Sequence, residues 1–451
     1  MSIAVVILAA GKGTRMQSDL PKVLHPLAQV PILAHAIRSA RFSDPEKMVI
    51  VAGHGFSKVA KAALEFAPDA IVVEQAEQLG TGHAVAQAKS ALEDFDGDVI
   101  VLYGDTPFIS EDTIAAIQSA RRSSDLVVLG FDAADPARYG RLVTQGDVLD
   151  RIVEFKDATP EERAITLCNS GVMAAKASDL FSWIDQVGNS NASGEYYLTD
   201  CVGIARSAGK RATVVRCDKA ETLGINSRAE LASAEAAFQS RMRCEMLDTG
   251  ITLYAPDTVF FAYDTVIGRD CIIEQNVVFG PDVTIESGAT IRAFSHLEGC
   301  HVSRDAVVGP YARLRPGAEL SEGVKIGNFV EVKNALIAEG SKVNHLSYIG
   351  DAEIGKGSNI GAGTITCNYD GVFKHRTTIG DNVFVGSNTM LVAPVTLGDH
   401  SMTASGSVIT KDVPASDLAI ARAEQVNKTG LAVKLFDMLK MRKAKQNSEK
   451  K

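Results

Sequence analysis

The chain has 451 residues, 46% hydrophobic and 22% charged, with a formal net charge of −9 at pH 7. That length exceeds one ordinary core, so two or three domains are expected. The acidic balance excludes the basic footprint that general nucleic-acid or membrane-surface binding needs. Seven cysteines, odd in number and without a CxxC pair, argue against a disulfide framework or a zinc site and for a reducing, cytoplasmic setting. The first apolar run, "IAVVILAA", is short, lacks a basic flank and ends in a glycine loop, which marks a buried strand rather than a signal peptide. No run approaches the roughly 18 apolar residues of a membrane span.

Residues 1–226 alternate β-branched runs with helical patterns. After "IAVVILAA", further buried strands are predicted at 47–53, 70–75, 98–105 and 125–131, with a helical pattern such as Thr81–Leu92 between them. This alternation specifies an α/β, Rossmann-like domain with a mainly parallel sheet covered on both faces. The loop "LAAGKGTRM", Leu8–Met16, ends the first strand, where open α/β sheets bind ligands. Its glycines allow either a plain turn or a close approach of backbone N–H groups to phosphate. Arg15 and Lys22 follow as two cations suited to a triphosphate. Asp105, in "LYGD" at the end of another apolar strand, is placed to ligate Mg²⁺ beside such phosphates.

Residues 227–250 contain an Ala-, Glu- and Arg-rich run, predicted as a linker helix over 227–246. From 251 the pattern changes. Aliphatic residues recur every six positions: Ile267, Ile273, Phe279, Ile285, Ile291 and Leu297, then Val302, Val308, Leu314, Leu320, Ile326 and Val332, and later Ile379, Val385, Leu391, Leu397, Thr403 and Ile409. A sustained period of six specifies a parallel β-helix of hexapeptide repeats, three to a coil, over 251–421. The period lapses at "TCNYDGVFKHRT", which reads as a loop thrown out of the helix. Residues 422–451 form a basic tail, read as a solvated segment.

Within "NHLSYIGDAEIG" stands His345. A lone histidine in such a wall is ordinarily structural, but coils of about 18 residues bring Arg315, Lys333 and Tyr348 to nearby corners, with Asn359 following. Two cations and a histidine suit an anionic, amine-bearing ligand. Where a ligand amine must lose a proton, a residue titrating near neutrality is the suitable general base, and His345 is the candidate.

Leu-x-x-Gly-x-Gly-Thr-Arg-Met with Pro21-Lys22, "QLGTGHA" and "YGD" resembles the sugar-1-phosphate nucleotidyltransferases. Joined to "RLRPGAEL", "GNFVEVKNA", "NHLSYIGDAEIG" and "GAGTITCNYDG", it resembles the bacterial bifunctional N-acetylglucosamine-1-phosphate uridyltransferase/glucosamine-1-phosphate acetyltransferase family. The resemblance implies a left-handed β-helix and a two-step route to UDP-N-acetylglucosamine, using acetyl-CoA and UTP as co-substrates. It implies UTP and sugar-nucleotide binding by Leu8, Ala9, Ala10, Gly11, Lys22, Gln75, Gly80, Thr81, Tyr103, Gly104, Asp105, Gly140, Glu154, Asn169 and Asn226. Arg15 and Lys22 would neutralise phosphates, and Asp105 with Asn226 would ligate Mg²⁺. Arg315, Lys333, Tyr348, Asn359 and Lys374 would bind glucosamine 1-phosphate. Ala362, Asn368, Tyr369, Ser387, Ser405 and Arg422 would line the acetyl-CoA path. Cys367 is read as buried and structural. The family implies a homotrimer. The alternatives are a nucleotidyltransferase whose β-helix only builds oligomers, and a non-catalytic assembly subunit of the same domains.

Overall fold

The computed structural model describes residues 2–448. They form two compact units, one running up to Asp248 and including Phe260–Thr265 and Phe279–Pro281, the other holding the remainder from Thr249 onward.

In the first unit, β1 (Ile3–Ala9), β2 (Lys47–Ala52), β3 (Ile71–Glu74), β4 (Asp98–Tyr103) and β5 (Leu126–Asp132) fall where the apolar runs predicted them. Every residue of β1 is buried. Ala4, Val6 and Leu8 enter one core and Val5, Ile7 and Ala9 the other, as the two-residue period of a strand requires. Four more strands complete the sheet: β6 (Arg141–Gln145), β7 (Val148–Val153), β8 (Leu167–Lys176) and β9 (Ala212–Cys217). The order is β3-β2-β1-β4-β8-β5-β9-β7-β6.

The sheet is more mixed than expected. β8 runs antiparallel between β4 and β5, and β6 pairs antiparallel with β7. The ladder of β8 shifts between Asn169 and Met173, which breaks the apolar run and hides the strand from a periodicity reading. The predicted helix at Thr81–Leu92 is a shorter α1 (Thr81–Ala86) followed by a separate 3₁₀ turn at Ser90–Leu92. The predicted linker helix is α2 (Arg228–Asp248), which clusters with this unit.

The second unit is a left-handed parallel β-helix. One of its ladders stacks ten short strands from Thr252–Leu253 to Leu418–Ala419. Among the period-six residues only Ile267 is half-buried; the other seventeen are buried. Each stacks on its counterpart one coil away, at roughly the 4.8 Å strand spacing. Coils take 17 or 18 residues, as from Ile272 to Thr290 and from Lys342 to Asn359, but Asn359 pairs with Phe384, 25 residues on. The surplus is the predicted excursion, tied at its neck by a bridge between Tyr369 and Lys374.

Many corners use Gly, Asn or Asp, which take left-handed backbone readily. Yet Phe294, Tyr311, Phe329 and Leu346 also adopt left-handed φ values of 60°, 56°, 55° and 51°. For bulky residues this conformation costs roughly 1–2 kcal/mol each. The basic tail is solvated as expected, and it is also helical: every residue of α3 (Leu431–Ser448) is exposed. Glu449, Lys450 and Lys451 lie outside the described residues. Cys367 is half-buried rather than buried, and all seven cysteines are free thiols. Among the described residues no helix is long and apolar enough to cross a membrane.

Candidate active sites

The first site opens at the C-terminal ends of β1 and β4. A cavity of about 240 Å³ is lined by Leu8, Ala9, Ala10, Gly11, Lys22, Gln75, Gly80, Thr81, Tyr103 and Asp105, with Val23, Gln78, Ala84 and Glu195. A Cβ on Gly11 would meet nothing within 4 Å, so its backbone faces open space. A Cβ on Gly13, at φ +61°, would press on the Lys22 side chain at 2.5 Å. The second glycine thus lets the loop fold down upon that lysine.

The Lys22 ammonium donates to Asp105 Oδ2 and, at 2.8 Å, to Asn226 Oδ1. Both side chains of the ion pair are largely shielded, at 10% and 18% exposure. Asp105 is carried by the turn after β4, and its carbonyl accepts from Ile225 N–H at 2.9 Å, which draws the Asn226 segment to the crevice. Asn226 N–H in turn donates to Glu230 Oε2 at 2.7 Å, in the first turn of α2. Arg15, on the 3₁₀ turn Thr14–Met16, is exposed and does not line the cavity. The two oxygens already gathered on one cation form a donor set of the kind magnesium uses, one carboxylate and a neutral oxygen with room for phosphate ligands.

Gln75 Nε2 is anchored to the Gly80 carbonyl at 3.2 Å. Thr81 Oγ1 accepts from Leu198 N–H at 3.1 Å. Gly104 N–H bonds the Leu8 carbonyl at 2.9 Å, holding the two strand ends together. Tyr103 has its phenol raised well above its ordinary range, by burial and then by the charges of Asp105 and Glu154. Gly140 accepts from Asn169 N–H at 2.9 Å. A Cβ on Gly140 would lie 3.5 Å from Glu154 Oε1, so Gly140, Glu154 and Asn169 meet at one place. Burial raises the Glu154 carboxyl, against a hydrogen bond from Thr199. Glu154 lines a second cavity, of about 390 Å³, with Asp157, Tyr197, Thr199 and Asp200, none of which the motifs had signalled.

The β-helix carries the second set of residues, in two columns. Consecutive coils are joined at one corner by Leu346 N–H to Asn328 O (3.0 Å), Gly363 N–H to His345 O (3.2 Å), Asn388 N–H to Ala362 O (2.7 Å) and Gly406 N–H to Ser387 O (2.8 Å). Asn328, His345, Ala362, Ser387 and Ser405 therefore succeed one another up one edge, and Arg422 Nη1 caps the series on the Ser405 carbonyl at 2.7 Å. His345 is exposed, and its Nδ1 lies 2.8 Å from Asn328 Oδ1.

On the next ladder Glu331 pairs with Tyr348 and Lys333 with Gly350. Arg315 Nη1 bonds Glu331 Oε1 at 2.8 Å. Asp351 is the hub: it accepts from Asn334 at 2.6 Å and from Asn368, and Lys333 Nζ stands 3.6 Å away. Burial raises its pKa, but those bonds and the charges of Lys333 and Lys374 outweigh it and hold the carboxyl below its ordinary value. Asn368 thus joins the Lys333 cluster. Tyr369 and Lys374 are exposed on the excursion, where Tyr369 Oη donates to the Gly371 carbonyl at 2.6 Å. Asn359 stacks on Lys342, away from the His345 corner. Asn328, Glu331 and Asp351 were missed; Asp351, an acid amid aliphatics in "NHLSYIGDAEIG", was the one available signal.

Gly327, next to Asn328, leaves no room for a side chain: a Cβ there would strike the Asn344 backbone carbonyl on the next coil. Gly327→Ala is expected to lower the melting temperature of the β-helix by several degrees and to depress the activity of that unit alone, measured by calorimetry and separate rate assays, because backbone must shift to admit the methyl.

Residues 5–166 match the MobA-like NTP transferase domain, 264–299 the bacterial transferase hexapeptide (six repeats), and 297–426 the GMPPB C-terminal domain. The chain is 68% identical over 449 residues to the bifunctional protein GlmU of Ruegeria pomeroyi, covering 100% of both. It is 66% identical over 446 residues to that of Roseobacter denitrificans, covering 99% of both, and 62% identical over 450 residues to that of Dinoroseobacter shibae, covering 100% of both. With identity of that order along nearly every residue, the chain belongs to the GlmU family of bifunctional proteins.

Proposed function

We propose that the chain makes UDP-N-acetylglucosamine in two steps, acetylating glucosamine 1-phosphate with acetyl-CoA and then joining the product to UTP with release of pyrophosphate. What supports this is the presence of two separately built polar sites, one in each unit, in a member of a family named bifunctional.

In the β-helix, Arg315 and Lys333 hold the sugar phosphate, and Tyr348 and Lys374 border it. The glucosamine nitrogen attacks the thioester carbonyl carbon. A C–N bond forms, the C–S bond breaks, the ammonium proton passes to His345, and the CoA thiolate leaves and takes a proton. Ala362, Ser387, Ser405 and Arg422 lie along the same edge as His345, which suits an extended cofactor running up the coils, with Asn368 and Tyr369 near the acetyl group.

In the first unit, Leu8–Gly11, Gln75, Gly80, Thr81 and Gly104 receive the nucleotide, and Tyr103, Gly140, Glu154 and Asn169 the N-acetylglucosamine. Asp105 and Asn226 are the residues that would hold Mg²⁺, which when bound neutralises phosphate charge. The sugar phosphate oxygen attacks the α-phosphorus, pyrophosphate leaves, and Arg15 and Lys22 balance the charge. No protein nucleophile is needed; positioning and electrostatics carry the step.

The enzyme acts as a cytoplasmic homotrimer in this reading. Phe294, Tyr311 and Phe329 stack face to face up one corner, with centroids 4.8 and 5.2 Å apart, and Leu346 continues the series. These four side chains are 47–62% exposed despite their unfavourable backbone conformation. A second copy covering that column would repay the strain. Phe329→Asp is accordingly expected to convert trimer to monomer in sedimentation and to cut acetyl transfer more than about tenfold while uridylyl transfer persists.

The direct test of the function is thiol release from acetyl-CoA on adding glucosamine 1-phosphate, with UTP-dependent pyrophosphate release measured in the same preparation. Thiol release tied to the sugar supports the reading; pyrophosphate release without it reduces the β-helix to a scaffold.

A further inference from the structure

The bond between His345 and Asn328 determines which nitrogen of the imidazole is free. Asn328 stands on the preceding coil in direct register with His345, and its Oδ1 is 2.8 Å from His345 Nδ1. An amide oxygen only accepts, so the bond in this orientation is Nδ1–H donating to Oδ1, and in the neutral ring the lone pair lies on Nε2. We propose that Asn328 is the positioning residue of acetyl transfer: it selects the Nδ1–H tautomer of His345 and fixes the ring so that Nε2 takes the proton of the attacking amine. This rests on the reading of His345 as the base.

Three features of the site favour the role. The Asn328 carbonyl accepts from Leu346 N–H at 3.0 Å, so orienter and base are locked by backbone on adjoining coils rather than by mobile loops. The amide is uncharged, so it orients the ring without the electrostatic stabilisation of imidazolium that a carboxylate would bring. The surrounding charges leave that assignment to Asn328. On the stacked strands Lys325–Asn328, Lys342–His345 and Asn359–Ile360, the only charged side chains besides His345 are Lys325 and Lys342, at the opposite strand ends. The carboxylate of Glu331, three residues on from Asn328, is occupied by Arg315.

The test compares Asn328→Ala, Asn328→Asp and His345→Ala with the wild type, reading kcat and KM for acetyl transfer across pH, with uridylyl transfer as a folding control. Asn328→Ala is expected to lose about 10–100-fold in kcat, the usual cost of removing an orienting partner, with both KM values within about twofold. Asn328→Asp, which can accept but not donate, should recover most of that rate at alkaline pH and carry the acid limb of kcat to higher pH than in the wild type. A purely structural asparagine would not move that limb. If Asn328→Ala retains wild-type kcat, or loses rate only through KM, the proposal fails. It fails equally if Asn328→Asp remains as slow as the alanine variant at every pH, because a donor amide would then be what the site needs. His345→Ala separates the two levels: if that variant keeps acetyl transfer, the base assignment itself is wrong, whereas a dead His345→Ala beside a normal Asn328→Ala overturns only the role of Asn328.

Discussion

His345→Ala is expected to lower acetyl transfer by about 10²–10⁴-fold, the range a positioned general base contributes, and to leave uridylyl transfer at its wild-type rate. An amine protonated at neutral pH has no lone pair to offer the thioester, so losing the proton acceptor slows the step without disturbing the cations that hold the sugar phosphate. KM for glucosamine 1-phosphate should accordingly change little, since Arg315 and Lys333 remain held by Glu331 and Asp351. The side chain is exposed, so the fold should tolerate its loss. Thiol-release kinetics and pyrophosphate release on one preparation measure both halves.

Asp105→Asn is expected to do the reverse, cutting uridylyl transfer on the order of 10²–10³-fold, as removal of one preorganised charge at a reacting centre does, while acetyl transfer continues. Asparagine preserves the shape and an acceptor oxygen. It removes the negative charge paired with the Lys22 ammonium, which then rests on neutral amide oxygens, that of Asn226 among them. It also removes the one anionic oxygen of the proposed magnesium pair, so the Mg²⁺ concentration giving half-maximal rate should rise sharply. An unchanged Mg²⁺ dependence would move the metal to other ligands.

Much of this architecture was legible in the chain because burial leaves a period. The six-residue spacing from Val302 to Val332 marks core positions one by one, and all six residues are buried. The buried strands of the first unit were equally visible, and with them Asp105, since residues at strand ends face the crevice, while Lys22 was legible as a cation following the glycine loop. β8 was not visible because its ladder shift interrupts the apolar run around Asn169. The hub at Asp351 and the Asn328–His345 bond were hidden for another reason: they depend on which residue stands one coil below, and coils alternate irregularly between 17 and 18 residues, so a period of six drifts out of step. Propensity argued against aromatic residues at left-handed corners, and only the stacked column of Phe294, Tyr311 and Phe329 shows why they persist together.

The central claim, two independent reactions in one chain, is tested most directly by mixing two singly disabled proteins. His345→Ala and Asp105→Asn are each supplied with glucosamine 1-phosphate, acetyl-CoA, UTP and Mg²⁺, alone and together, and UDP-N-acetylglucosamine is quantified. Neither variant alone should form it at an appreciable rate, and the mixture should, because N-acetylglucosamine 1-phosphate released by Asp105→Asn is the substrate that His345→Ala can still use. A mixture as silent as its components, with wild type active, would contradict two separable sites joined by a free intermediate, and so would full activity in either variant alone.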